Sequence, residues 1–296
     1  MKFGVREICD VVFKANQEVR IGGKTFKKGQ PVLYIDTAKT STIEGAATTV
    51  YATGGKGNSR LIAWEGEKTL TFTVEDALLS PIGFAVLSGA GLFDSLKEKE
   101  TFRVHCTAVA FVDNSGNIAL EDVVAEDAPI FVAVYEDGSI GDLVENLSVG
   151  TDKKSLTGAT DQAGKQVFVD YYVSKAKGVT ELQIDAENFA GYYYVEASTL
   201  FRRESDGKDL PAEIVFPRVK VQSNFTFTMA SSGDPSTFTF TMDAFPGYTM
   251  FEKTKKVLCA MQVIDESAED AENIAVTTLT EGEEVTEVKA DSVTEA

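Results

Sequence analysis

The sequence predicts a mostly β fold, a β-sandwich or barrel-like core with one flanking helix and long hairpins, and three observations carry that reading. Leu70, Phe72 and Val74 alternate with Thr69, Thr71 and Thr73, the period-2 mark of a half-buried strand. The alternation returns late in the chain, where Phe225, Phe227 and Met229, then Phe238, Phe240 and Met242, are interleaved with threonine. Clusters of Gly, Asn, Asp and Pro separate short apolar runs over the whole length.

The elements follow in order. Val32-Leu33-Tyr34-Ile35, entered from Gly29-Gln30-Pro31, predicts a strand, as does 48–51, closed by Gly54-Gly55-Lys56-Gly57-Asn58. After Val74 the period changes. Glu75 and Asp76 suit a helix start by charge, Ala77, Leu78, Phe84, Ala85 and Leu87 give it an apolar face, and glycines 89 and 91 end it. This predicts one helix of three to four turns, with Pro81 marking the alternative first turn. Strands are expected again at 102–112, 130–135, 167–173, 192–201 and 213–221, where Pro217 confines its strand to an edge or a bulge. Turns are expected at 113–117, 136–138 and 204–208, and a polar, Gly-rich loop at 151–164. Residues 225–242, around Ser231-Ser232-Gly233-Asp234-Pro235, predict a long hairpin with a Phe/Met face and a Thr face. Long strands left unpaired invite edge-to-edge association, so a protein built of them must cover its edges, and a self-assembling one does so with its neighbours.

Composition narrows the function. The 296 residues are 43% hydrophobic and 25% charged, as in ordinary globular chains, and no apolar run approaches the roughly 20 residues that span a bilayer. The charged first ten residues are not a secretory signal, so synthesis in the cytoplasm and no membrane insertion are expected. Cys9, Cys106 and Cys259 are odd in number and far apart, and His105 is the one histidine, which argues against a disulfide framework or a zinc site. The net charge of −18 argues against binding nucleic acid by phosphate neutralisation or base reading. From Ile264 onward eleven acids face one base, Lys289, leaving −8 for the first 263 residues, so 264–296 reads as a solvated, disordered acidic tail.

Catalytic signals are missing from the sequence. His105 and Cys106 are adjacent in a strand and so point to opposite faces, which spoils a nucleophile–base contact. The turn at 54–58 has a lysine but lacks the Gly-Lys-Ser/Thr ending of a phosphate loop, and a strand containing Trp64 follows it rather than a helix. Calcium-loop spacing is absent from 206–207 and 234–235. With 46 acids, no pair of carboxylates singles itself out as a glycosidase would require. The chain reads as a non-enzyme without cofactor or metal.

Three stretches carry a family resemblance: Gly54-Gly55-Lys56-Gly57-Asn58-Ser59-Arg60, Trp64-Glu65-Gly66-Glu67-Lys68-Thr69-Leu70-Thr71-Phe72, and Glu75-Asp76-Ala77-Leu78-Leu79-Ser80. So does the closing pattern Val219-Lys220-Val221-Gln222-Ser223-Asn224-Phe225, Gly233-Asp234-Pro235-Ser236-Thr237-Phe238 and Met242-Asp243-Ala244-Phe245. Over roughly residues 20 to 95 and 165 to 250 the chain resembles the tube-forming, major tail proteins of tailed bacteriophages, especially those with contractile tails. The resemblance implies a β core with a helix beside it, hexameric rings stacked into a hollow tube, and passage of DNA through an acidic lumen. It implies the chain itself as first partner, with sheath, baseplate or tape-measure proteins as further ones, and the virion as its place. The division expected is an N-terminal arm at 1–18, a tube-like core at 19–113 and 165–263, an inserted region at 114–164 and the acidic tail at 264–296. The candidate interface residues are Thr226, Thr228, Thr237, Thr239 and Thr241 on the Thr face and Lys56, Asn58 and Arg60 in the glycine-rich turn. A capsid decoration or other surface-displayed binding module is the competing reading, since it shares a β core without needing rings.

Overall fold

The computed structural model describes residues 2–21, 24–94, 101–184, 186–233 and 236–265, together with the dipeptides 276–277 and 287–288. In chain order the strands begin with β1 (Phe3–Val5), β2 (Asp10–Ala15), β3 (Val19–Ile21), β4 (Lys24–Phe26), β5 (Pro31–Ile35), β6 (Ala38–Gly54) and β7 (Ser59–Asp76), and the helix α1 (Pro81–Ser88) follows. Then come β8 (Gly91–Asp94), β9 (Phe102–Phe111), β10 (Asn117–Ala119), β11 (Phe131–Glu136), β12 (Ser139–Leu143), β13 (Ser148–Val149), β14 (Ser155–Thr157), β15 (Gln166–Lys175) and β16 (Thr180–Gln183). The last long elements are β17 (Tyr192–Arg203), β18 (Asp209–Val221), β19 (Phe238–Ala244) and β20 (Ala260–Val263). The fold is mostly β, with one α-helix among the described residues. The chain forms two units, one of Met1–Val19, Phe26–Gly89 and Phe189–Ala296, the other of Arg20–Thr25 and Ala90–Asn188.

The first unit is built on a nine-stranded sheet in the order β5-β2-β17-β18-β19-β7-β6, with β1 pairing β17 and β20 pairing β18. Alternation puts Val11, Phe13 and Ala15 of β2, Phe72 and Val74 of β7, and Phe238, Phe240 and Met242 of β19 on the buried face. The sheet is strongly curled. Phe13 and Phe240 stand three strand positions apart, about 14 Å on a flat sheet, yet their ring centroids are 5.9 Å apart. Phe72 and Phe216, two positions apart, stack at 4.8 Å. Such contacts need the inner face to close on itself, and α1 fills the remaining gap. A methyl group at Gly83 would lie 3.6 Å from Phe240 and 3.7 Å from Leu33, so the helix sits between β19 and the opposite edge strand β5.

The helix is shorter than its sequence suggests. It has eight residues, starts at Pro81 and is capped by Ser80, whose Oγ accepts from the Gly83 amide. Glu75 and Asp76 belong instead to β7, where cross-strand pairing to Thr239 and Phe238 outweighs their charge preference for a helix start. Gly89 ends the helix at φ 74°, and a Cβ there would meet the Phe189 carbonyl carbon at 2.4 Å, so glycine is required for both conformation and space.

The expected hairpin at 225–242 is also corrected. Only its second limb is a strand, β19, and β19 pairs with β18 and β7 rather than with residues 224–229. The first limb runs as irregular chain beside it, tied by the Ser236 hydroxyl to the Thr228 carbonyl and by the stacked rings of Phe227 and Phe238. β19 instead makes six register pairs with β7 on one side and three with β18 on the other. Asp234 and Pro235 lie outside the described residues. Pro217 falls at a bulge, where the β17–β18 register shifts between Tyr193 and Val195.

The second unit is a four-stranded sheet, β12-β11-β15-β9, with a small sheet β10-β14-β13. Its core joins Val112, Ile118, Val124 and Val132 with Leu156, Val167, Val169 and Tyr171. The polar stretch 151–164 is more ordered than expected. It contains β14 and a 3-10 turn, Thr160–Gln162, and contributes Leu156 and Ala159 to that core. The turn Glu136-Asp137-Gly138 forms as read, with positive φ at Asp137 and Gly138.

These placements separate two phenylalanines with the same sequence pattern. Phe240 is 2% exposed and Phe227 48%. Phe240→Ala should cost about 3–5 kcal/mol and Phe227→Ala well under half of that. Urea unfolding of both variants checks it, and equal losses would contradict the placement.

Candidate assembly surfaces

β6 and β7 are 17 and 18 residues long and pair from Ala38–Asp76 to Gly54–Ser59. Only their root belongs to the core. From Thr42 to Thr69 every residue is exposed except the half-buried Ala52 and Gly54, so both faces of this arm are bare. The root-to-tip length from Glu44 to Gly54 is about 35 Å. Cross-strand pairs put Val50 opposite Trp64 and Ala52 opposite Ile62, an apolar row with no layer over it. At the tip, Gly55, Gly57 and Asn58 take positive φ, and the Arg60 guanidinium lies 4.1 Å from the Tyr51 ring centroid.

β6 is also an end strand of the sheet, paired with β7 alone among the described strands. Residues 45–54 contain no charge and no proline. Edge strands of proteins that stay monomeric are short, charged or broken by proline. The opposite edge, β5, obeys that rule with five residues opening on Pro31.

The five candidate threonines are brought together. Thr226, Thr228, Thr237, Thr239 and Thr241 line one open hollow of about 520 Å³ with Asn224 and Ser236. Thr239 is exposed on the outer face of β19, and Thr241 stands opposite Thr73. At the rim the Thr237 hydroxyl donates to Glu75 at 2.5 Å and Thr40 donates at 3.2 Å, which holds the Glu75 carboxyl below the usual carboxylate range. Lys56, Asn58 and Arg60 lie elsewhere, at the arm tip, some 16 strand residues or about 50 Å along β7 from Glu75. The eight candidates therefore mark two surfaces. The arm as a whole was the missed feature, because its residues are exposed on both faces and leave no hydrophobic period to read. The available signal was the single turn cluster at 54–58 with β-forming residues for many positions on each side.

Other reactive groups occupy ordinary structural positions. His105 Nε2 and Asp170 Oδ1 are 2.8 Å apart on the exposed face of β9 and β15, with Cys106 on the opposite face. Burial pushes the Cys259 thiol up to about 11 and the Tyr193 hydroxyl up to about 12. Among the described residues no group of three His, Cys, Asp or Glu side chains could hold a metal ion.

A family model, that of the YomU/Tube protein family, matches residues 7–257, which takes in the arm, the threonine hollow, all of the second unit and most of the first. The chain belongs to the YomU/Tube protein family. This is a phage tail tube protein family, so the chain is a tail tube structural protein and a component of the virion. No curated protein matches the chain.

The chain's one tryptophan, Trp64, stands on the arm and is 54% exposed. Its emission should be that of a hydrated indole in dilute protein and shift to the blue on assembly. An unshifted spectrum in the assembled state would place the arm outside the contact.

Proposed function

We propose that copies of this chain associate, six to a ring, and that the rings stack into the tail tube whose lumen conducts DNA at ejection. The observation that carries this reading is the outer part of the β6 edge, residues 45–54, which is uncharged and without cover on either face. Isolated two-stranded ribbons are marginal in water, so the arm needs a partner surface. A neighbouring copy supplies one by laying its own sheet against the edge and the Val50–Trp64 row. The hollow around Thr239 serves as a second contact or as wet lumen wall, because hydroxyls hydrogen-bond either a partner strand or water. The −18 charge suits a conduit along which a polyanion slides without sticking. Assembly then takes place in the host cytoplasm, with sheath, baseplate or tape-measure proteins as later partners and no catalytic step.

Negative-stain microscopy of concentrated protein should reveal rings or hollow rods. Val50→Lys places a charge on the bare arm and should abolish them while leaving thermal melting of the dilute protein within about 0.5 kcal/mol of wild type. Thr239→Lys should impair assembly in the same way. A chain that stays monomeric at every concentration, or variants that assemble like wild type, would overturn this function.

A further inference from the structure

Within this acidic chain, several cations share one cleft. Lys28, Arg218, Lys253 and Lys256 line a cleft of about 710 Å³ in the first unit, together with Tyr194 and Tyr248. Among the described residues none of them, nor the adjacent Lys255, lies within ion-pair distance of a carboxylate. Glu252, the one acid of the surrounding loop, is occupied by the Thr254 amide and hydroxyl. The loop is held in place: Gly247 and Val257 exchange two backbone hydrogen bonds, Phe245 N donates to the Arg218 carbonyl, and Met250 N donates to the Tyr194 hydroxyl. It presents apolar groups beside the cations. Phe251 is 94% exposed, and Tyr248 and Met250 are exposed as well. Arg218 stacks 4.3 Å from the Tyr192 ring centroid, and Lys256 lies 5.5 Å from that of Tyr248.

The other end of β18 differs. Beside it the two arginines that end β17 are paired, Arg202 with Asp209 and Arg203 with Asp206 and Asp265. The continuously described chain also ends there, at Asp265. β20 runs antiparallel to β18 from Ala260 opposite Val215 to Val263 opposite Ala212, and Ile264 N then donates to the Pro211 carbonyl. The exit at Pro211 is thus seven residues, about 23 Å, from Arg218, and the chain is heading away from the cleft. Beyond it, residues 266–296 carry ten acids and one base. Apart from the paired dipeptides 276–277 and 287–288, that stretch of the expected disordered tail lies outside the described residues.

We infer that the Lys28–Arg218–Lys253–Lys256 cleft receives the acidic segment 266–296 of a second copy of this chain, joined head to tail. Opposite charge and opposite ends of one strand are what such a contact needs. A patch at one end that fits a segment at the other is heterologous and open-ended, so it propagates along a stack. The inference rests on the tube reading and supplies its axial contact. With 276–277 paired to 287–288, the ten residues 266–275 alone reach up to about 35 Å when extended.

The test uses full-length chains labelled with ¹⁴N and ¹⁵N, mixed, concentrated and treated with a zero-length carbodiimide cross-linker. Mass spectrometry should find mixed-isotope cross-links from Lys253, Lys255 or Lys256 to Glu281, Glu283 or Glu284. Same-isotope cross-links alone would mean that the segment folds onto its own chain, and their absence would mean that the cleft is empty; either overturns the proposal. At low salt, K253E/K255E/K256E and E281K/E283K/E284K should each raise the concentration needed for assembly about tenfold, and both sets in one chain should restore it. Unchanged assembly of either variant also overturns it. If wild type forms no rings or rods, the tube reading fails on that ground, whereas mixed-isotope cross-links between two copies would still establish the contact.

Discussion

An uncovered edge governs this molecule. β6 offers a row of backbone donors and acceptors with no charge over residues 45–54 to repel a second chain, on an arm whose faces are bare. In a protein meant to stay alone this would be an aggregation hazard, because the hydrogen bonds and apolar area gained by pairing oppose only the entropy of association. Under the proposed function the same hazard becomes the contact that builds the tube. The contrast within one sheet is the telling point, since β5 ends the opposite side in five residues and a proline.

The rest of the first unit fixes the root of that edge. Phe13, Phe72, Phe216 and Phe240 bring strands from distant positions into contact and curl the sheet around α1, so the root of β7 is locked between β19 and the core. Rigid placement matters for assembly, because a contact repeated many times tolerates little play between copies. The short helix, fixed by Ser80 at one end and Gly89 at the other, closes the gap that the curl leaves.

Period-2 alternation made the β class and most strands legible, and Pro217 announced its bulge. The failures have physical causes. Glu75 and Asp76 look like a helix start by charge, but pairing with β19 decides their conformation. Phe225, Phe227 and Met229 alternate as regularly as Phe238, Phe240 and Met242, yet only the second set meets a partner strand, and partner choice is a long-range property. The threonines were legible as a surface. The arm was not, since exposure on both faces leaves no hydrophobic period to read. The cleft around Arg218 was hidden for a related reason, as its cations come from residues 28, 218 and 253–256 and meet only in the fold.

The most direct test is amide hydrogen exchange on the arm before and after assembly. Local opening should be frequent in the dilute protein, because few buried contacts oppose it. The expected result is strong protection of peptides within 42–69 on assembly, with little change in β17 and β18. Arm exchange that stays as fast in the assembled state as in the dilute protein would contradict the central claim that a neighbour covers β6.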